Sequence, residues 1–275
     1  MALLMGNLMS GAMSDLRVHP LSQRLRGWAR DDAVVDSLRA HLVWEPGRLA
    51  PTYAVPVEDV AADLVPFDGD VGEERPVRLG DGPPVLDPRT PFTVHSTSGR
   101  SLTVRTPQVD LAGAAFTPDD PDLAGYVVLD ALAFQAWCEE EEPVIGHPRD
   151  PFHRIDCLPS SRHVEVSVAG VPLVDTRRAT MLLENPLPPR YYVPREDVRT
   201  ENLVESELRT ICPYKGVASY WSAEVDGERV ADVAWTYEEP RHDAPPVGGM
   251  LCFFTERFDL VVDGVPVTRV TTPWS

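Results

Sequence analysis

A cysteine, a lysine, an arginine and two carboxylates crowd into residues 205–221, ESELRTICPYKGVASYW, and the aromatic density continues into residues 234–240, AWTYEEP. Pro213 fixes the chain directly after Cys212, and Lys215 returns a cation three residues later. A thiol in a tight turn beside a cation is favoured as thiolate, which is the form that attacks an electrophile. A free cysteine is equally at home as a small buried hydrophobe, so both roles stand for Cys212. Arg209 offers a planar fork to an anion and Lys215 a point charge. The competing assignment is structural pairing with Glu184, Glu205 or Glu207. A carboxylate in this stretch, with Glu207 the candidate, could carry a proton if buried. Gly216 frees the turn and lets a ligand approach the backbone closely.

Tyr214, Tyr220, Trp221, Trp235 and Tyr237, with Tyr191 and Tyr192 from the preceding block, concentrate aromatic rings well above the chain's 8%. Strand alternation sends neighbours to opposite faces, so half of them can line a pocket while the rest fill core. The ligand-binding set is therefore Arg209, Tyr214, Gly216, Tyr220, Trp235, Tyr237 and Tyr192. Rings beside cations suit planar or anionic small molecules.

These residues must be held by a chain of 275 residues, 43% hydrophobic, with a formal charge of -18. Such a charge repels nucleic acid and anionic membrane, so neither is an expected partner. Self-association is compatible with the sequence. The four cysteines form no CxxC pair, which signals neither a disulfide framework nor a zinc site. Reduced thiols, a cytoplasmic location, no metal and no cofactor are the expectation. Residues 1–13 lack the basic start and cleavage site of a secretory signal. No stretch reaches the roughly 18 apolar residues of a membrane span.

Self-comparison sets the domain plan. VVDSLRAHLVWEPGRLAPTYAVPVEDV at 34–60 aligns with LVDTRRATMLLENPLPPRYYVPREDV at 173–198, superposing Asp36 on Asp175, Arg39 on Arg178, Glu45 on Glu184, Pro51 on Pro189 and Tyr53 on Tyr191. AAFTPDDP at 114–121 parallels VAWTYEEP at 233–240. Two homologous domains follow, 24–160 and 161–275, with 146–160 as a proline-rich linker. In the first copy His95, Thr97, Ser98 and Gly99 stand for Cys212, Tyr214, Lys215 and Gly216, Phe116 stands for Trp235 and Pro118 for Tyr237. Shared residues then serve the fold, and those peculiar to the second copy serve function. His95 and Ser98 suggest a base and hydroxyl pair that lacks a third partner, and His147, His153 and Cys157 read as a solvated loop.

Short β-branched and aromatic runs between glycine and proline turns predict a mainly β protein, each domain two sheets or a half-open barrel. Helix is expected after Pro56, after Pro194 and over 130–140.

CPYKG, ASYWS, AWTYEEP, the YYVPREDV block and VVDG together closely resemble the bacterial family known as domain of unknown function 427, tightly over 162–265 and more loosely over 24–160, as in a tandem member. The resemblance implies a fold like the β-tent group of twisted-sheet domains. Zinc on cysteine pairs, common in that group, has no counterpart in this chain. The family is sometimes labelled nucleotidyltransferase-like, but the chain has no Gly-Ser phosphate-holding turn with spaced aspartates. The expected function is an enzyme acting on a small polar or anionic metabolite, with Cys212, Lys215 and Glu207 catalytic. The alternatives are a non-catalytic binding module for a nucleotide-like or anionic ligand, and a scaffold.

Overall fold

From residue 17 onward, runs of two to ten residues, rich in Val, Leu, Tyr and Trp and commonly ended by Pro, Gly or Asp, form strands, because turns at this spacing leave little room for an α-helix to nucleate. The computed structural model describes residues 2–79, 82–225 and 227–273. The protein is mainly β and divides into two compact units, Met1–Pro151 and Phe152–Ser275.

In the first unit the strands are β1 (Arg17–Pro20), β2 (Leu25–Ala29), β3 (Asp32–Ser37), β4 (His41–Trp44), β5 (Thr52–Pro56) and β6 (Asp63–Pro66). They continue with the hairpin β7 (Pro76–Arg78) and β8 (Pro84–Leu86), then β9 (Gly99–Arg105), β10 (Asp110–Pro118), β11 (Tyr126–Leu129), β12 (Ala136–Glu139) and β13 (Glu142–Pro143). The second unit begins with β14 (Ile155–Pro159), β15 (Val164–Val168), β16 (Val171–Thr176), β17 (Thr180–Glu184) and β18 (Arg190–Val193). It ends with β19 (Leu203–Cys212), β20 (Gly216–Val225), β21 (Glu228–Thr236), β22 (Leu251–Phe253), β23 (Asp259–Val262) and β24 (Val265–Pro266).

The two units have the same strand order. The first has a seven-stranded sheet β1-β4-β5-β11-β10-β9-β6 and a four-stranded sheet β13-β12-β2-β3. The second has β14-β17-β18-β22-β21-β20-β19 and β16-β15-β23-β24, and β7–β8 is the first unit's addition. All these pairings are antiparallel, and each small sheet shares a core with its large sheet: Val164, Val166, Leu260 and Val262 join Tyr191, Val193, Leu251 and Phe253.

The division falls between Pro151 and Phe152, before the expected 160/161 boundary. The proline-bearing segment Ile155–Pro159 is paired with β17 over five residues and belongs to the second unit's sheet; the proline ends the edge strand, where its missing N–H costs nothing. The expected helices are absent. Pro56 and Pro194 introduce single 3₁₀ turns, Val57–Asp59 and Arg195–Asp197. Residues 136–139 form β12 because Trp137, opposite Gly27, is buried against the other strand. An eight-residue helix that the patterning did not indicate, Met5–Ala12, buries none of its residues. Among the described residues no helix is long and apolar enough to cross a membrane.

Candidate functional site

Register places a row of side chains on one face of the second unit's large sheet. Thr180 stands opposite Tyr192, Tyr192 opposite Cys252, Cys252 opposite Trp235, Trp235 opposite Tyr220, and Tyr220 opposite Ser206. Directly opposed residues point the same way, so this is a single aromatic and thiol-bearing face. The matching row of the first unit reads His41, Ala54, Val128, Phe116 and Ser101. On the second unit's face the Trp235 indole donates to the Tyr192 hydroxyl at 2.9 Å, and the Arg190 guanidinium lies 5.4 Å from the Trp235 ring while ion-paired with buried Glu256. Tyr220 reaches outward, its hydroxyl 2.7 Å from Thr210 Oγ1.

Neighbouring strands lie about 4.8 Å apart, so four steps from β17 to β20 would span about 19 Å in a flat sheet. The sheet instead curls until Glu184, at the end of β17, accepts a hydrogen bond from Lys215 Nζ in the β19–β20 turn. Both are buried, at 8% and 6% exposed. The other Glu184 oxygen is 3.1 Å from His153 Nε2, and the His153 ring stacks on Tyr214 at 4.0 Å. Cys157 of β14 comes to the same closure, its Sγ 3.6 Å from the Asp243 carbonyl.

The turn itself is tight. Cys212 pairs with Gly216, and Gly216 has φ 104°. A Cβ there would come 3.3 Å from the Glu239 carbonyl oxygen, while the Lys215 carbonyl accepts the Arg241 N–H at 3.0 Å. Glycine is needed on both counts.

Electrostatics inside the closure favour one charge pair. Burial pushes the Glu184 carboxyl up, but hydrogen bonds from His153 and Lys215 and the lysine charge outweigh it and hold it at about 2. Burial pulls Lys215 down, and Glu184 together with Cys212 more than restores it, leaving it above its ordinary value. Cys212 is different. Burial raises its thiol, the Lys215 charge and the N–H groups of Tyr214 and Lys215 favour the thiolate, and the net direction is up. Burial likewise raises Cys157, and it pushes Cys252 up to about 12.

The structure thus brings together Cys212, Tyr214, Lys215 and Gly216, and sets Tyr192, Trp235 and Tyr220 on the adjoining face with Tyr237 buried in the same core. It does not bring Glu207 or Arg209 to them. A bulge lies between Ser206 and Arg209 on the edge strand, and both Glu207 and Arg209 are exposed. Arg209 Nη1 donates to the carbonyls of Ser206 and Leu208, each at 2.7 Å, and the Leu208 N–H is taken by Ser206 Oγ at 3.2 Å. Arg209 caps an open sheet edge; it does not face the thiol. A cavity of about 320 Å³ lies on the other face of the sheet, lined by Met181, Tyr191, Leu260 and Val262.

Glu184 is the pairing partner that the sequence offered Lys215 as the competing, structural assignment, although its presence in both copies also placed it with the fold. His153, read from the sequence as part of a solvated loop, is the member of the cluster that was missed.

The first unit closes in the same place with different groups. Glu45, just after β4, accepts from the backbone N–H of Ser96 at 3.1 Å, the N–H of Thr97 at 3.3 Å and Thr97 Oγ1 at 2.8 Å, and lies 2.8 Å from His95 Nδ1. Glu45 is therefore the partner that His95 lacked in the sequence. Ser101 and Tyr220 are matched by their partners Phe116 and Trp235, so counting back along the strands sets His95 with Tyr214 and Gly99 with Ala218, two residues from the expected correspondence.

Two curled antiparallel sheets closed by a buried glutamate, one of them bearing a thiol, an ammonium and an imidazole at the closure, define a mainly β protein with a charged site in its second unit. Residues 156–264, within the second unit, match the family described as a domain of unknown function (DUF427). No curated protein matches the chain.

Proposed function

We propose that the second unit acts on a small polar or anionic metabolite at the mouth of the closed sheet, with Cys212 as the reacting thiol and Lys215 as its counter-charge. One observation carries this reading: the first unit closes the same strand order with Glu45 held by His95, the Thr97 hydroxyl and two backbone N–H groups, so closure itself demands neither lysine nor thiol. Burying an ion pair is a poor route to stability compared with apolar packing, which favours a role in chemistry for Lys215 and Glu184. In this scheme Glu184 keeps Lys215 charged, His153 orients Glu184, and two backbone N–H groups support the developing thiolate. The shared strand order and repeated residues support a tandem origin for the two units.

Binding without chemistry is the second reading. It is favoured by the raised Cys212 thiol and by a lysine charge already matched by Glu184. Thermal-shift screening of small anionic and neutral metabolites against wild type and Cys212→Ser separates the two. A compound that stabilises both proteins, and is consumed only by wild type, supports the enzyme. Recovery of the compound unchanged from both supports the binding module. Ligand affinity unaltered in Cys212→Ser and in the double variant Lys215→Met/Glu184→Gln removes the site from both readings.

A further inference from the structure

The outer face of β15–β16 carries a second cluster, independent of the thiol closure. Glu165 and Asp175 stand directly opposite each other across the hairpin, and His163 lies two residues before Glu165 on the same face. His163 Nε2 is 2.7 Å from Asp175 Oδ1, and its Nδ1 is 3.8 Å from Glu165 Oε2. One ligand atom from each residue lies within 4.8 Å of the others, and all three side chains are reachable from solvent. The neighbouring Asp263 is engaged elsewhere, accepting from the His163 N–H at 2.9 Å and from Arg162 Nε at 2.7 Å.

Like charges directly opposed across a strand pair are unfavourable unless a cation joins them. The first unit supplies that cation from its own chain. Its register sets Arg26 opposite Asp36, matching Glu165 and Asp175, and Arg24, in the place of His163, donates to both Asp36 oxygens at 2.7 and 2.5 Å. The second unit has exchanged both arginines for a histidine and a glutamate, turning a paired aspartate into three metal-ligating groups. A tetrahedral ion bound at 2.0–2.2 Å needs its ligand atoms about 3.3 Å apart, within reach of side-chain rotation here. One imidazole and two carboxylates suit a borderline ion such as zinc better than magnesium or calcium, which prefer oxygen alone.

We infer that His163, Glu165 and Asp175 form a surface site for a zinc-type divalent ion, with water completing the coordination. Calorimetric titration of zinc chloride into the full chain near neutral pH tests this against His163→Arg, which restores the first unit's arrangement. Wild type is expected to bind one zinc equivalent more than the variant. Equal stoichiometry and affinity in the two proteins overturn the site and leave an imidazole bridging two carboxylates. Asp175→Asn, checked for an unchanged circular dichroism spectrum, is expected to weaken zinc binding by about tenfold or more. Binding unaffected by that change is likewise fatal to the assignment.

Discussion

Glu184 accepts from a lysine that lies 31 residues away in sequence, and its second oxygen meets His153. Its folded pKa, about 2, lies below its unfolded value, so its ionisation stabilises the fold above the ordinary carboxylate range. That stability is lost as pH falls through about 4.5 toward 2, and the shift corresponds to on the order of 3 kcal/mol. Chemical denaturation across this window should show the loss in wild type and its absence in Glu184→Gln. Lys215 is raised, so its contribution to the same pair is present at neutral pH and disappears in alkali. Lys215→Met alone leaves the buried carboxylate with only His153 as a partner and should cost up to about 3–5 kcal/mol, while adding Glu184→Gln should recover much of that. Equal destabilisation by the single and double changes would show that the pair is not coupled. Cys212, Lys215 and Gly216 were legible in the sequence because they sit within one turn. Glu184 was legible only as one of three carboxylates that could pair with the cations, and His153 not at all, because each reaches the turn only across a curled sheet.

The β19–β20 hairpin fixes the turn and guards an edge. Gly216→Ala would place a Cβ against a carbonyl oxygen at a φ of 104°, at a cost of about 1–3 kcal/mol. Gly227→Ala in the next hairpin, where a Cβ meets open space, should cost less, and thermal melts of the two variants give the comparison. β19 is the edge of its sheet, ten residues long, and contains no proline. Arg209 and Ser206 occupy its outward backbone groups at the bulge instead. Arg209→Ala should therefore change stability by less than about 1 kcal/mol yet increase self-association by light scattering. Unchanged scattering would remove the edge-guard role. Glu207 and Arg209 were candidates because of their charge and their closeness in sequence to Cys212, and the paired strand with its bulge leaves both exposed and away from the turn.

At the scale of the molecule, one strand order is used twice, with a closing glutamate in each unit, Glu45 and Glu184, and two sets of partners. The double change Lys215→Met/Glu184→Gln should lower amide hydrogen-exchange protection within 152–275, and Glu45→Gln within 2–151. Loss of protection across both units from either change would contradict separate closures. The sequence by itself determined the β class, the repeat, the turns and the position of the thiol–lysine turn, since strand period and turn chemistry are local. Only the tertiary structure decided which charges meet. That depends on the accumulated twist of seven strands, which brings the two ends of the sheet's chemistry together and which no local pattern encodes.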